Sequence, residues 1–330
     1  MSTPSPSQPA ARSPGGGPVS FDPAALMRIK HLPWRARSVV QGFLSGLHKS
    51  PAHGFAVEFT EYRPYTPGDD LRFLDWKLLA RSDRLQLKQF EDETNRRCWL
   101  LVDQSRSMAF GTQGYSKADY ARTAAATLAW FLAGQRDAVG LLGFDATVRQ
   151  YLPARFRPGH LRRLLQLLEQ PLGGTATDLA APLTEVTRLA NRRGLVVLLS
   201  DLLAPLDLLA TRLSWLRARG HEVLLLRVLD PRELDFDLPG EALFTDLETG
   251  RELHIDPVAA REGYQKKFAD HAHQIRQICG ELGIDLTVLT TATPLHEALV
   301  ALLQSRARGA GRGGRRAGGV GNSSPGGGLA

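Results

Sequence analysis

The feature that most constrains this chain is a set of short apolar runs that each stop at a polar residue. Trp99–Val102 runs into Asp103, and Leu195–Leu199 runs into Ser200-Asp201. Val223–Val228 and Leu286–Leu289 are built alike, and Ala138–Phe144 reads as a further strand. Continuous apolar runs of this length suit strands buried on both faces. Between them lie segments of helical period: Lys117–Ala133, Gly159–Leu168, Leu179–Ala190 and Leu206–Arg219, with Leu295–Gln304 closing the series. Strands alternating with helices predict an α/β fold, a doubly wound and mostly parallel sheet covered on both sides. One interruption falls at 231–256, where Leu243–Leu247 and Leu253–Ile255 flank Glu248-Thr-Gly250 and read as a β-hairpin. A helix over 257–281 then returns the chain to the sheet.

In an open parallel sheet, ligands gather at the carboxyl ends of the strands. Three segments bring oxygen donors there. Asp103-Gln-Ser105-Arg-Ser107 follows the first apolar run, Gly173-Gly174-Thr175 precedes a helix, and Asp201 ends another run. Two carboxylates and three hydroxyls, without sulfur or imidazole, suit Mg²⁺, Mn²⁺ or Ca²⁺. The alternation of Asp-x-Ser-x-Ser lets the three side chains share one direction, and Arg106 then points away. Gly173 and Gly174 allow a close backbone approach. Thr177 competes with Thr175, which is preferred because it directly follows the glycine pair. Alone, Asp-x-Ser-x-Ser could be a solvated turn capped by Asp103. Its place between a buried strand and a helix, with the other two segments following in order, favours the metal reading.

With these residues in order, the segment 97–305 resembles a von Willebrand factor A domain, a Rossmann-type doubly wound fold with a metal-ion-dependent adhesion site. The resemblance implies direct coordination of Mg²⁺ by Ser105, Ser107 and Thr175, with Asp103 and Asp201 acting mainly through waters. Leu202 stands where that family ordinarily has glycine.

The segment ahead of the sheet differs in character. Residues 24–50 have a loose helical apolar face of Leu26, Ile29, Leu32, Val39, Val40, Phe43 and Leu44. Beyond it, short extended runs surround Val57–Phe59 and Leu85–Phe90. Between them, Pro67-Gly-Asp-Asp70 marks a turn and Leu71–Ala80 a short helix. Composition alone favours an edge hairpin whose charges pair in water, although Arg, Tyr and Trp also favour interaction surfaces. The motifs Gly46-Leu-His-Lys-Ser50, Glu58-Phe59, Tyr62-Arg63-Pro-Tyr65, Pro67-Gly-Asp-Asp-Leu-Arg72, Leu74-Asp-Trp-Lys77, Ala80-Arg81 and Phe90-Glu-Asp-Glu93 stand in series. Asp246-Leu-Glu-Thr-Gly250 and Asp256-Pro257 follow. Together they resemble the bacterial domain-of-unknown-function family number 58 over residues 35–305. That resemblance implies a role as an adaptor or chaperone accessory working with a MoxR-type AAA+ ATPase.

Four regions follow: disordered 1–20, a helix and β segment over 21–96, the A-like domain over 97–305, and a disordered Arg/Gly tail over 306–330. The net charge of +7 is concentrated in the termini, which hold Arg12, Arg306, Arg308, Arg312, Arg315 and Arg316 and no acid. The body is left near neutral, which argues against a basic nucleic-acid-binding face. Cys98 and Cys279 lack metal-ligand spacing and read as buried thiols in a reducing compartment. Neither a signal peptide nor an apolar span appears, so a cytoplasmic protein is expected.

The favoured function is a non-enzymatic, metal-dependent protein-binding module. A metal-dependent phosphatase or other hydrolase is the first alternative, but Asp103-Gln-Ser105 lacks a second Asp, and no Lys or His is placed as a base. Lys117 is expected at the helix surface. His160, His221, His254, His271, His273 and His296 are scattered and read as surface or packing residues. RNA binding through the Arg/Gly tail is the other alternative.

Overall fold

The computed structural model describes residues 22–48, 62–64, 86–88, 96–170, 179–190, 192–237, 242–245, 252–302 and 304. The expectations for 1–20, 306–330, Val57–Phe59, Leu71–Ala80 and the Gly173–Thr177 loop fall outside them.

The apolar runs become strands of one six-stranded sheet. β3 (Arg97–Asp103), β4 (Ala138–Phe144), β6 (Leu195–Ser200), β7 (Glu222–Leu229) and β10 (Asp285–Thr290) are parallel, and β5 (Val148–Arg155) runs antiparallel beside β4. The spatial order is β10-β7-β6-β3-β4-β5. The chain lays β3, β4 and β5 towards one edge, then returns to place β6, β7 and β10 towards the other. The order therefore reverses between β3 and β6, the position where such sheets open a crevice. β5 was not read from the sequence. Pro153 and the alternating Val148-Arg-Gln-Tyr-Leu-Pro-Ala-Arg155 do not form an apolar run, and an edge strand tolerates both.

Side chains of each strand alternate between two cores. Leu100, Val102, Val197, Leu199, Leu224 and Leu226 face α3 (Lys117–Gly134). Trp99, Leu101, Val196, Leu198, Val223 and Leu225 face α5 (Ala180–Leu189), α6 (Leu206–Ala218) and α8 (Pro257–Leu282). Cys98 and Cys279 are buried in these two cores, as expected.

The N-terminal apolar face forms two helices, α1 (Pro23–Met27) and α2 (Leu32–His48). Arg35 bridges the break, donating from Nη1 to the carbonyls of Met27 (3.3 Å) and Ile29 (3.4 Å). α2 packs on α3, with Phe43 edge-on to Phe131 at 5.1 Å. This explains why α3 is apolar nearly all round, carrying buried Ala118, Ala121, Ala124, Ala125, Ala126 and Ala129: it lies between the sheet and α2. A short α4 (His160–Leu168) follows β5, and α9 spans 295–302. The hairpin read at 243–255 is β8 (Ala242–Thr245) paired antiparallel with β9 (Glu252–Ile255). β1 (Tyr62–Pro64) and β2 (Gln86–Lys88) form a second antiparallel pair.

Candidate functional site at the sheet crossover

β3 delivers Asp103, and β6 delivers Ser200 followed by Asp201, to the same end of adjacent strands. Asp103 is fully buried. Its Oδ1 accepts the Ser105 N–H at 2.9 Å and its Oδ2 accepts the Ser200 hydroxyl at 2.5 Å. The chain then turns into a 3₁₀ helix, Arg106–Ala109. Ser105 and Ser107 face each other with their Oγ atoms 3.0 Å apart, while Arg106 is exposed. Ser105 and Ser107 are thus brought together across a 3₁₀ turn and not along the extended loop that the alternation suggested. Ser200 does more than end the strand: its Oγ donates to Asp103 and accepts the Leu202 N–H at 3.0 Å, tying the two strand ends together.

Asp201 is equally buried. Its Oδ1 accepts the Leu203 N–H at 3.1 Å. The intervening Leu202 has φ 57°, in the left-handed region. A leucine has taken the backbone conformation that glycine adopts without strain. The loop keeps the glycine-like turn, and the side chain is buried in the core with α6. Thr175 and Thr177, the remaining hydroxyl candidates, lie outside the described residues.

Lys117 corrects the reading from sequence. It is not at the helix surface but has no exposed area. Its Nζ donates to Asp201 Oδ2 at 2.8 Å and to Glu233 Oε1 at 2.5 Å. Glu233 belongs to α7 (Pro231–Asp235), where its Oε2 accepts the Asp230 N–H in a capping box. A signal for this was present. Lys117 is the first residue of α3, capped by Ser116 and Asp119, and a cation in the first turn opposes the helix dipole. Such a lysine needs a nearby anion. On the other side, buried Arg227 donates from Nε to the Asp201 carbonyl at 3.1 Å and lies over the Phe268 ring at 4.9 Å. His271 contacts the same guanidinium, with Nδ1 3.4 Å from Arg227 Nη2. His160 and His221 bond the carbonyls of Val139 and Ala190, which makes them packing residues.

The electrostatics are those of crowded, buried carboxylates. Burial pushes the Asp103 carboxyl up to about 6, and the charge of Asp201 pushes the same way, against the hydrogen bonds from Ser200 and Ser105. Burial would lower the Lys117 ammonium, but Asp201 and Glu233 outweigh it and hold it above its ordinary value. Burial also raises Glu233, against the pull of Lys117. Asp201 and Glu233 thus stand against Lys117 and Arg227, and Asp103 feels the charge of Asp201. Among the described residues, no three His, Cys, Asp or Glu side chains converge as a metal-binding group. The donors here are mainly hydroxyls. The paired serines and the two carboxylates are hard oxygen donors, which suit a hard divalent cation better than a soft one.

Fold and site define an α/β protein with an oxygen-donor cluster at its topological switch point. The chain belongs to DUF58, a protein family of unknown function, whose model matches residues 61–274. An uncharacterized protein of Mycobacterium tuberculosis is 32% identical over 299 residues, covering 88% of this chain and 92% of that one, and one of Mycobacterium bovis matches equally. Among solved structures, the conserved hypothetical protein BatB of Bacteroides thetaiotaomicron is similar at 15% identity and a TM-score of 0.45, covering 64% of this chain and 98% of that one. Among the described residues, no helix is long and apolar enough to cross a membrane.

Proposed function

We propose that this protein is a non-enzymatic, metal-dependent protein-binding module with a von Willebrand factor A-like site. Asp103, Ser105, Ser107, Thr175 and Asp201 would hold Mg²⁺, with Mn²⁺ or Ca²⁺ as substitutes. The observation that carries the reading is the gathering of Asp103, Ser105, Ser107 and Asp201 at the switch between β3 and β6, where the donors are hard oxygens. The bound ion would supply a Lewis-acidic position for a carboxylate on a partner. The chain's own residues would orient it: Ser105 and Ser107 by their shared direction, Asp103 through Ser200, and Asp201 through the Leu202 turn.

The partner we propose is a MoxR-type AAA+ ATPase, in keeping with the family resemblance, and the role is that of an adaptor or chaperone accessory in the cytoplasm. A hydrolase is disfavoured because Lys117, the buried amine beside the site among the described residues, is held between two carboxylates and is not a free base. The test is affinity capture of a purified MoxR-type ATPase from the same genome in Mg²⁺ and in EDTA, with Asp103→Ala as control. Capture that needs Mg²⁺ and Asp103 supports the reading. Capture unchanged by both EDTA and Asp103→Ala would sink it.

A further inference from the structure

Lys117 has no place in a site made only of oxygen donors, yet it lies completely buried on one of them. A buried ammonium is costly unless it is paired, and this one has two acidic partners. One of these, Asp201, is a proposed metal residue. The other, Glu233, comes from a different element and is itself fixed by the Asp230 N–H. α3 therefore begins by directing a cation into the site, and α7 anchors that cation from behind.

We propose that Lys117 is a tethered counter-cation that competes with the divalent ion for Asp201 and so sets the site's affinity low enough for the ion to exchange. This rests on the metal-binding reading above. Asp103 and Asp201 both have each carboxylate oxygen engaged, but Asp103 accepts from neutral donors, Ser105 and Ser200, whereas Asp201 holds the Lys117 ammonium on Oδ2 beside the Leu203 N–H on Oδ1. The incoming ion must rely on Ser105, Ser107 and Asp103 or draw Asp201 away from Lys117. It also meets a fixed positive charge in a low-dielectric setting, where like charges repel strongly. Glu233 moderates that repulsion by taking part of the lysine's hydrogen bonding. The arrangement keeps the carboxylate end of the sheet folded without metal, and it makes occupancy follow the free divalent concentration. Lys117 acts here as a positioning residue.

The experiment is Mn²⁺ binding to the full chain, read by the loss of the free-ion electron paramagnetic resonance signal, for wild type, Lys117→Met, Glu233→Gln and Asp103→Ala. Lys117→Met is expected to bind Mn²⁺ about tenfold or more tightly than wild type, a gain that a merely damaged fold would not give. Glu233→Gln keeps an acceptor for the ammonium but removes the negative charge that offsets it, so more of the lysine's charge is felt at Asp201 and Mn²⁺ is expected to bind several-fold more weakly. This second variant keeps the idea testable where Lys117→Met fails to fold. Wild type that binds Mn²⁺ through Asp103, together with Lys117→Met binding no tighter or Glu233→Gln binding no weaker, would overturn the role of Lys117 and leave the metal site standing. No binding in wild type or in Lys117→Met would overturn both.

Discussion

Replacing Asp103 by asparagine should stabilise the metal-free protein at neutral and alkaline pH, even though Asp103 is a proposed metal residue. The carboxyl is fully buried and pushed from 3.8 up to about 6, first by burial and then by Asp201. An acid whose folded pKa is raised holds its proton more tightly when folded. Metal-free stability from this group is therefore greatest below about 4, falls as pH rises to about 6, and stays low above. The span corresponds to on the order of 3 kcal/mol. The asparagine carbonyl would still accept from the Ser105 N–H, and the Ser200 hydroxyl can turn to accept from the new amide. Exchanging charged for neutral hydrogen bonds costs about 1 kcal/mol, so Asp103→Asn should gain about 1–2 kcal/mol at pH 8 in EDTA. At pH 4 the gain should vanish. Urea unfolding of both proteins at the two pH values measures this. Millimolar Mg²⁺ should then reverse the order, because only wild type binds it; an ion at 100 times its Kd contributes about 2.7 kcal/mol. Asp103→Asn less stable than wild type by the same amount at both pH values would show that no buried charge at Asp103 opposes folding.

At Leu202 the usual ranking should invert: Leu202→Gly and Leu202→Ala both lose a buried side chain, but only glycine relieves the left-handed backbone. Thermal melts should therefore place the glycine variant above the alanine variant by about 1 kcal/mol. Ser116→Ala removes the cap that accepts from the Asp119 N–H and should cost about 1 kcal/mol in urea unfolding. Cys98 and Cys279 are buried, and burial pushes the Cys279 thiol up to about 11; at pH 8 both should resist a disulfide reagent until the protein unfolds.

The central strands were legible because burial on both faces leaves continuous apolar runs, and the polar residues that stop β3 and β6 marked the crossover. The spacing of Asp103, Ser105 and Ser107 marked where the chain leaves β3, and the structure keeps the two serine hydroxyls in contact; their role as ligands belongs to the proposal. The antiparallel edge strand β5 was not, since an edge position relaxes the demand for apolar residues and admits Pro153. The division of the N-terminal helix was missed because a loose apolar face runs through it, although Pro33 at the start of α2 marks a new helix and Arg35 reaches back across the break to the carbonyls of Met27 and Ile29. Lys117 was misplaced because both anions that bury it, Asp201 and Glu233, are distant in sequence, and its place in the first turn of α3 hinted at an anion without naming one. Ser200 was passed over because its role is to link Asp103 to the Leu202 turn, and that role exists only when β3 and β6 are neighbours.

The most direct measurement of the central claim is an anomalous difference map from crystals of the full chain grown with Mn²⁺. One strong peak is expected at the carboxyl ends of β3 and β6, bounded by Ser105, Ser107, Asp103 and Asp201, with the Thr175 hydroxyl completing the set. Crystals with Mn²⁺ bound elsewhere and no peak between these residues would contradict the claim.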